Sequence, residues 1–405
     1  PPVLGELVGG VVIGVSVLGL LAFPESGATA EDSLIMAFLE RTTDLTPETI
    51  EPVFAAQGEV ITVLSELGVV ILLFEIGLES DLKELLQVGP QAALVAVTGV
   101  VAPFVGGTAG LYYGFGVPAV PAVFAGAALT ATSIGITAKV LSELGRLNSK
   151  EGQIIIGAAV IDDVLGIIIL AVVASLIKTG NIEVSNVLYL VVSAGVFLVG
   201  TILLGRFVTP FLMGMVNEMK TRGELLLTSL VFAFALAYIA TAINLEAILG
   251  AFAAGLVLGE TEKRKELEEQ VVPVADILVP VFFVCVGART DLGVLNPADP
   301  SNREGLILAA FLIVVAMVGK AIAGYTIFGR ADLNKLAIGV GMIPRGEVGL
   351  VFAGVGSASG ALSPATEAAI IVMVIVTTFV APPFLRVVFP DAPAEESEAS
   401  KQEGG

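Results

Sequence analysis

Long apolar stretches alternate along the chain with short segments rich in Gly, Pro and charged residues. Several of these stretches have roughly 18 or more residues, enough for an α-helix to cross a hydrocarbon core about 30 Å thick. The pattern predicts an all-α polytopic membrane protein with about twelve helical spans. The predicted spans are 3–22, 60–78, 90–113, 119–143, 151–177, 185–216, 223–242, 245–259, 274–288, 304–328, 333–357 and 364–389.

Two segments outside these spans are acidic. We expect the connector 23–59 to be a solvated surface, with attraction of cations as the alternative. Residues 390–405 are mainly Glu, Ser and Ala without an apolar period, which is typical of a disordered tail. The sequence therefore predicts one transmembrane domain over 1–389 and a disordered acidic tail over 390–405.

The basic residues predict the orientation of the spans in the membrane. Most of them follow even-numbered spans: Lys83, Arg146, Lys150, Lys220, Arg222, Lys263, Arg264, Lys265, Arg330, Lys335, Arg386 and Lys401. Few follow odd-numbered spans: Arg41, Lys178, Arg289 and Arg303. Because positive residues favour the cytoplasmic side, this bias places the even-numbered connectors and both ends of the chain in the cytoplasm.

Composition excludes several classes of function. Charged residues make up 15% of the chain, against about 25% in soluble domains. The absence of His excludes His metal sites, Ser-His-Asp triads and histidine proton relays. The only cysteine, Cys285, cannot form an intrachain disulfide. The net charge of −19 argues against nucleic-acid partners and is compatible with cation handling. We expect no enzymatic activity and no cofactor.

Four predicted spans carry polar groups that are costly at membrane depth. The fifth contains the adjacent acids Asp162 and Asp163, and the tenth contains Lys320. The fourth is interrupted at 130–133, and the eleventh at 341–347, where Arg345 and Glu347 lie. Ionisable groups inside the bilayer are functional-site hypotheses by default.

These polar groups are predicted to lie at similar depths. At 1.5 Å per helical residue, Asp162 lies ~16 Å beyond Glu151, and Lys320 lies ~15 Å before Arg330. Arg345 lies ~15 Å past Lys335 by the same measure. Ser133 lies ~20 Å or less before Arg146. The four spans therefore bring their polar groups to one level near the middle of the membrane.

The order of these spans predicts an inverted-topology repeat. Spans three to five read as helix, broken helix and helix with the acid pair, and spans ten to twelve read as helix with lysine, broken helix and helix. The offset of seven spans is odd, so the two triplets have opposite orientations. In such repeats two broken helices cross and form an ion site near the midplane.

The residue types at this level are suited to cation exchange. A dehydrated monovalent cation needs hard oxygen ligands, which a carboxylate, the Thr132 and Ser133 hydroxyls and freed backbone carbonyls can supply. Competition of a proton and a cation for one carboxylate gives obligatory exchange. Adjacent helical residues point ~100° apart, so Asp163 can face a cavity while Asp162 pairs with Lys320. Titration of these three groups would move more protons than cations, which makes the exchange electrogenic.

Several segments resemble the monovalent cation:proton antiporter-2 family, and within it the bacterial NapA-type sodium/proton antiporters. The Kef potassium efflux transporters are more distantly similar, but they usually carry Gln-Asp at the acid pair and a nucleotide-binding domain. The matching segments are Pro2-Val3-Leu4-Gly5-Glu6 with Gly9, Gly10 and Gly14; Leu72-Leu73-Phe74 with Gly77-Leu78-Glu79; Ala131-Thr132-Ser133; Asp162-Asp163; Gly250-Ala251-Phe252 with Ala254-Gly255-Leu256; Gly319-Lys320; and Pro344-Arg345-Gly346-Glu347.

The resemblance implies a sodium/proton antiporter fold in a homodimer of thirteen-helix protomers. A core domain, here about 90–177 and 304–389, would move elevator-like against a dimerisation domain formed by the remaining helices. Asp163 would bind Na⁺, with Thr132 lining the crossing, and Asp162 would pair with Lys320. The family's first helix would precede Pro2. The sequence begins with Pro1 and contains neither an initiator Met nor a basic signal region at its start, so we expect a trimmed chain. The acidic connector is longer than expected for the family but is similar to those of cyanobacterial members. The resemblance implies the bacterial plasma membrane, or the thylakoid membrane if the protein is cyanobacterial.

Other interpretations remain open. The nearest is K⁺/H⁺ exchange on the same fold, since Na⁺, Li⁺ and K⁺ use the same oxygen ligands. A channel is disfavoured because it needs a continuous wet path. An intramembrane aspartyl protease needs acids on two helices and a Gly-x-Gly-Asp motif, and a bile-acid-type symporter needs an amphipathic pocket.

The same residues also have purely structural interpretations. Asp162 and Lys320 could be only a structural ion pair, and Thr132 and Ser133 could merely cap broken backbone. Arg345 and Glu347 are expected mainly to compensate the charges of the half-helix ends.

Overall fold

The computed structural model describes residues 2–24, 28–43, 47–179, 184–218, 223–290, 292–296, 298, 302–328, 330 and 332–389, and these contain helices but no strands. The predicted tail 390–405 lies outside them. The α-helices are α1 Pro2–Ile13, α2 Leu34–Thr42, α3 Pro47–Glu79, α4 Leu82–Gln87, α5 Gly89–Ala109, α6 Ala119–Ala128, α7 Ile134–Glu143, α8 Lys150–Thr179, α9 Val184–Glu218, α10 Glu224–Ala242, α11 Ala247–Gly259, α12 Arg264–Ala288, α13 Asn302–Tyr325, α14 Lys335–Gly341, α15 Glu347–Ala358 and α16 Pro364–Val388. A π-helical turn, Gly110–Gly114, extends α5.

Helix length and hydropathy identify a multi-pass integral membrane protein. Within the described residues, seven helices are long and apolar enough to cross a bilayer: α3, α5, α8, α10, α12, α13 and α16. The apolar helices α1, α6 and α11 are shorter. Many large apolar side chains are exposed on these helices, as expected where lipid replaces water.

Each predicted span contains at least one helix of the described structure, in the predicted order, but three boundaries are wrong. The first span, predicted over 3–22, ends as a helix at Ile13, and Leu20 and Leu21 then donate backbone hydrogen bonds to the Ile13 carbonyl. Leu21 and Phe23 pack beside Cys285 and Ala288. Hydrophobicity alone does not distinguish a helix from such a packed apolar turn.

The other two errors concern where helices begin. The helix of the second span begins at Pro47, not at 60, and that of the ninth at Arg264, not at 274. Part of the connector 23–59 is therefore helical, since it also contains α2. Hydropathy marks only the part of a helix inside the bilayer, whereas Glu, Lys, Gln and Leu continue the helix into water.

The packing of the helices follows a repeated order. Helix α5, the broken pair α6 and α7, and α8 form one set; α13, the broken pair α14 and α15, and α16 form the other. Helix α5 packs on α6 and α8 as α13 packs on α14 and α16. The two sets interlock through contacts of α6 with α15, α8 with α14, and α7 with α16. This is the predicted repeat, and its two broken helices meet.

A second group of helices surrounds α3. Helices α11 and α12 pack on α3, α1 packs on α12, and α10 packs on α11. Helices α3 and α11 approach closely at Gly77 and Gly255, where a Cβ on Gly77 would lie 2.9 Å from the Gly255 Cα atom. Glycine at both positions lets the backbones of α3 and α11 touch. The division of the chain into a moving core and a dimerisation domain stays a prediction.

Candidate functional site

The two broken helices cross through their extended segments. Residues 129–133 separate α6 from α7, and residues 342–346 separate α14 from α15. The Ser133 backbone N–H donates to the Pro344 carbonyl at 2.8 Å, and the Thr132 hydroxyl donates to the Met342 carbonyl at 3.1 Å. The polar groups that each break exposes are therefore partly satisfied by the other break, as backbone buried in a membrane requires.

Arg345 lies at the carbonyl ends of both broken helices. Its side chain is completely buried. Its Nη2 donates to the Leu129 carbonyl at 2.7 Å, and its Nη1 donates to the Met342 carbonyl at 3.2 Å. Leu129 and Met342 directly follow the last residues of α6 and α14. Because the C-terminal end of a helix carries partial negative charge, one guanidinium compensates both ends.

Two further hydroxyl groups complete the hydrogen bonding of the second break. Thr378 of α16 donates to the Arg345 carbonyl, and Thr137 of α7 donates to the Gly341 carbonyl at 2.9 Å. Both threonines are buried. The sequence did not point to these two threonines. The only signal for them was a threonine within an apolar helix of each repeat.

Asp162 and Lys320 form a completely buried ion pair. The Lys320 Nζ atom lies 3.0 Å from the Asp162 Oδ2 atom, and both side chains have 0% exposure. The pair joins α8 to α13, one helix from each repeat, in agreement with the depth estimate. The Asp162 Oδ1 atom has no hydrogen-bond partner among the described residues, and neither has the Arg345 Nε atom.

Asp163 faces a small cavity at the other ends of the broken helices. The cavity has a volume of about 10 Å³ and is lined by Ala131, Thr132, Ser133, Ile134, Asp163, Ile248, Gly346 and Val348. This is room for about one water-sized particle. Ser133 and Ile134 lie at the start of α7, and Gly346 and Val348 at the start of α15. A carboxylate beside these two N-terminal ends is favourably placed for its negative charge.

The cavity brings together three predicted ligands, two from the break between α6 and α7 and one from α8. Thr132, Ser133 and Asp163 are each less than 7% exposed. A Cβ atom on Gly346 would lie 2.8 Å from the Ser133 Oγ atom, so only glycine leaves this wall open. Ile248 of α11 also lines the cavity, on the side of the helices that surround α3. The sequence did not point to this residue. Glu347 begins α15, but its side chain lies outside the described part of the chain.

A metal cofactor site is not visible in the described residues, which contain no group of three or more His, Cys, Asp or Glu side chains able to hold a metal ion. A transported cation does not need such a group, since one carboxylate with neutral oxygens suffices for weak, reversible binding. The expectation that the protein needs no cofactor stays a prediction.

A second set of charged side chains lies away from the crossing, towards the end of α7 that is predicted to be cytoplasmic. Lys139 of α7 interacts electrostatically with Glu6 of α1 and Glu75 of α3. It also interacts with Glu79 of α3 and with Glu143 at the end of α7. This set links one broken helix to the helices around α3.

Comparison with known proteins identifies a family and close relatives. The model of the family described as sodium/hydrogen exchanger, transmembrane, matches residues 1–389. The chain is 70% identical to the high-affinity Na⁺/H⁺ antiporter NhaS3 of Synechocystis sp. over 98% of its own length and 86% of that protein's. It is 34% identical to the Na⁺/H⁺-K⁺ antiporter GerN of Bacillus cereus over 96% and 90% of the two chains.

The fold is also found in a solved structure. The chain resembles the sodium proton antiporter MjNhaP1 of Methanocaldococcus jannaschii with a TM-score of 0.60 and 17% sequence identity. The likeness covers 95% of this chain and 89% of that one. The fold predicted from the repeat order is therefore confirmed. The family resemblance based on the sequence motifs is also confirmed, including the similarity to cyanobacterial members.

Proposed function

Because the chain belongs to the sodium/hydrogen exchanger family, we propose that it is a secondary antiporter that exchanges Na⁺ or Li⁺ for H⁺ at Asp163. The antiporters named above are similar to it over most of both lengths. One observation carries the assignment of the site: Asp163, Thr132 and Ser133 line one cavity of about 10 Å³ at the crossing. A cavity of that size holds a single small particle.

The proposed exchange depends on competition at the Asp163 carboxylate. A bound Na⁺ would take one carboxylate oxygen and the Thr132 and Ser133 hydroxyls as ligands, since it prefers hard oxygen donors. When the cation leaves, a proton neutralises the carboxylate, which would otherwise remain charged in a buried site. Because the carboxylate carries either the cation or the proton whenever it crosses, transport in one direction requires transport in the other.

The Asp162–Lys320 pair is proposed to make the exchange electrogenic. If Na⁺ entry at the neighbouring Asp163 weakens the pair, Lys320 can release a proton in addition to the one that leaves Asp163. Two protons would then move for one cation, and one net charge would cross the membrane in each cycle. The two side chains are 3.0 Å apart and completely buried, so water does not freely replace a proton that Lys320 releases. Both observations support this role.

The site supports alternating access by an elevator movement. The core, about 90–177 and 304–389, would slide against the remaining helices, which we propose form the interface of a homodimer. The cavity lies where these two parts meet, since Ile248 of α11 closes it against Asp163. A shift of the core past α11 would carry Asp163 from one side of the membrane to the other. We propose the plasma or thylakoid membrane of a cyanobacterium as its location.

The test is proton movement in proteoliposomes that hold a preset pH difference and a pH-sensitive dye. Addition of Na⁺ or Li⁺ should release protons with the unaltered protein and leave the dye unchanged with Asp163→Asn. Asp276→Asn, which removes an exposed acid of α12, is the matched control and should retain the activity. Equal activity of Asp163→Asn would move the site away from this carboxylate.

K⁺/H⁺ exchange is the second candidate. It is favoured by the similarity to a relative described as a Na⁺/H⁺-K⁺ antiporter. In the same assay, a larger dye response to K⁺ than to Na⁺ would support this alternative and contradict Na⁺ selectivity.

A further inference from the structure

An apolar crevice opens on the outer face of the second repeat. It lies between α13, α14 and α16 and has a volume of about 420 Å³. All its lining residues are apolar: Met317, Val318, Ala321, Leu336, Val340, Ile343, Phe384, Val387 and Val388. Four of them are well exposed, Val387 by 79%, Val318 by 51%, Phe384 by 43% and Leu336 by 42%. The crevice therefore opens to the hydrocarbon part of the bilayer and not to another helix of the described chain.

Two basic residues flank the end of this crevice that is predicted to be cytoplasmic. Lys335 begins α14 and directly precedes Leu336, and Arg386 lies near the end of α16 and directly precedes Val387. The two ends are held together by a hydrogen bond of 2.8 Å from the Asn334 Nδ2 atom to the Val388 carbonyl. Both positive charges are thus placed at one rim, where lipid headgroups lie.

These two charges are not compensated by nearby acids of the described chain. The described acid closest in sequence to Lys335 is Asp332, which is engaged by Arg330 at 3.0 Å and by Lys150 at 3.7 Å. Glu151 accepts the Asn334 backbone N–H at 2.9 Å. No carboxylate of the described residues lies within ion-pair distance of Lys335 or Arg386. An anion at this rim would therefore meet two available cations.

We propose that the crevice binds one anionic phospholipid, with an acyl chain between α13, α14 and α16 and the phosphate at Lys335 and Arg386. A zwitterionic lipid offers the same acyl chain but no net charge, so the basic rim favours the anionic lipid. A free phosphate ion would lack the contact with the apolar walls. The walls of the crevice include Ile343, in the break before α15, and Ala321, which follows Lys320 in α13. Binding does not depend on which cation the protein transports.

The absence of tryptophan from the chain allows a direct test. Val387→Trp places a single fluorophore at the crevice, and Leu94→Trp places one on the lipid-facing side of α5, away from it. Each purified variant is reconstituted in vesicles that mix phosphatidylcholine with brominated phosphatidylglycerol, or with brominated phosphatidylcholine. We expect the fluorophore at position 387 to be quenched with an at least fivefold preference for the anionic lipid, and the one at position 94 to show a preference near one.

The charge requirement is tested in the Val387→Trp background. Lys335→Gln with Arg386→Gln should bring the preference close to one, whereas Lys263→Gln with Lys265→Gln, which removes two cytoplasmic charges elsewhere, should leave it unchanged. If the first pair folds poorly, Lys335→Gln and Arg386→Gln made separately test the same point, since each removes one charge and should lower the preference. Equal quenching by both lipids at position 387 would overturn the proposal. A preference that survives the loss of both charges would also overturn it.

Discussion

Asp162 and Asp163 are neighbours in sequence but have different partners. Asp162 contacts Lys320 of α13, whereas Asp163 faces the cavity between the starts of α7 and α15. The angle of ~100° between successive helical residues accounts for this divergence. One helix can therefore place two acids in two environments, one paired within the protein and one beside a space that fits a small cation.

Thr132 is the residue whose proposed ligand role is most easily separated from its structural role. Thr132→Val should raise the Na⁺ concentration for half-maximal exchange about tenfold, because one oxygen ligand is lost, with a smaller effect on the maximal rate. Thr130→Val is the matched control, since Thr130 is also buried but its hydroxyl bonds only to the Ala127 carbonyl at 2.7 Å. The Na⁺ dependence of proton movement in proteoliposomes measures both. An equal shift in the two variants would mean that both hydroxyls only support the backbone.

The buried ion pair predicts a strong coupling between its two members. Asp162→Asn or Lys320→Gln alone should lower the free energy of unfolding by about 3–5 kcal/mol, because each leaves one uncompensated buried charge. The double variant should lose much less than the sum, since no charge remains. Thermal unfolding in detergent, followed by circular dichroism, gives the double-mutant cycle. Additive losses would show that the two side chains act independently.

At the scale of elements, the two broken helices satisfy backbone groups that each leaves without a helical partner. The carbonyl groups freed in one break are satisfied by residues of the other break or of the flanking helices: Thr132, Thr137, Arg345 and Thr378. Each broken helix thus satisfies part of the backbone that the other leaves open. This explains how non-helical backbone persists at membrane depth without water.

Arg345 is expected to be the most sensitive member of this arrangement. Arg345→Gln should lower the free energy of unfolding by about 3 kcal/mol, because hydrogen bonds to charged groups contribute about 1.5–3 kcal/mol each. Arg345→Lys should lose less, since the charge remains but one ammonium cannot span the Leu129 and Met342 carbonyls as a guanidinium does. The midpoint of thermal unfolding measures both, with exposed Arg41→Gln as a control that should change little. Equal losses for Gln and Lys would contradict a role for the charge.

The breaks themselves could be predicted from the sequence, but the extents of several helices could not. The segments Thr130–Ser133 and Gly341–Glu347 interrupt apolar runs with polar residues, Gly and Pro, which disfavour a continuous helix. The early starts of α3 and α12 gave no hydropathy signal, because their first turns lie outside the bilayer. The end of α1 at Ile13 depends on packing against α12, which no local pattern encodes.

At the scale of the whole molecule, the proposed elevator movement predicts that a bond between the two helix groups blocks exchange. The Ser142 Oγ atom of α7 lies 3.1 Å from the Glu79 Oε2 atom of α3. In a Cys285→Ser background, Ser142→Cys with Glu79→Cys joined by a short thiol-reactive linker should abolish proton movement. Cleavage of the linker should restore it.

A bond within the proposed core provides the matched control for that experiment. The Lys150 Nζ atom of α8 lies 3.7 Å from the Asp332 Oδ2 atom before α14, and both positions belong to the core as predicted. Lys150→Cys with Asp332→Cys, joined by the same linker, should leave exchange intact. If the bond between Ser142 and Glu79 positions is equally harmless, the core does not move past α3, and the elevator proposal fails.

The sequence by itself determined the order of the helices, the two breaks, the matching levels of Asp162 and Lys320, and the family resemblance. These features depend on position along a helix axis, which hydrophobicity and a rise of 1.5 Å per residue encode directly. Only the tertiary structure decided which neighbour each polar group meets. It placed Arg345 on two helix ends, Thr378 on the Arg345 carbonyl, and Ile248 and Gly346 in the wall of the cavity. The rotation of each helix about its axis and the choice of its neighbours depend on packing between segments far apart in the chain, and local patterns do not contain that information.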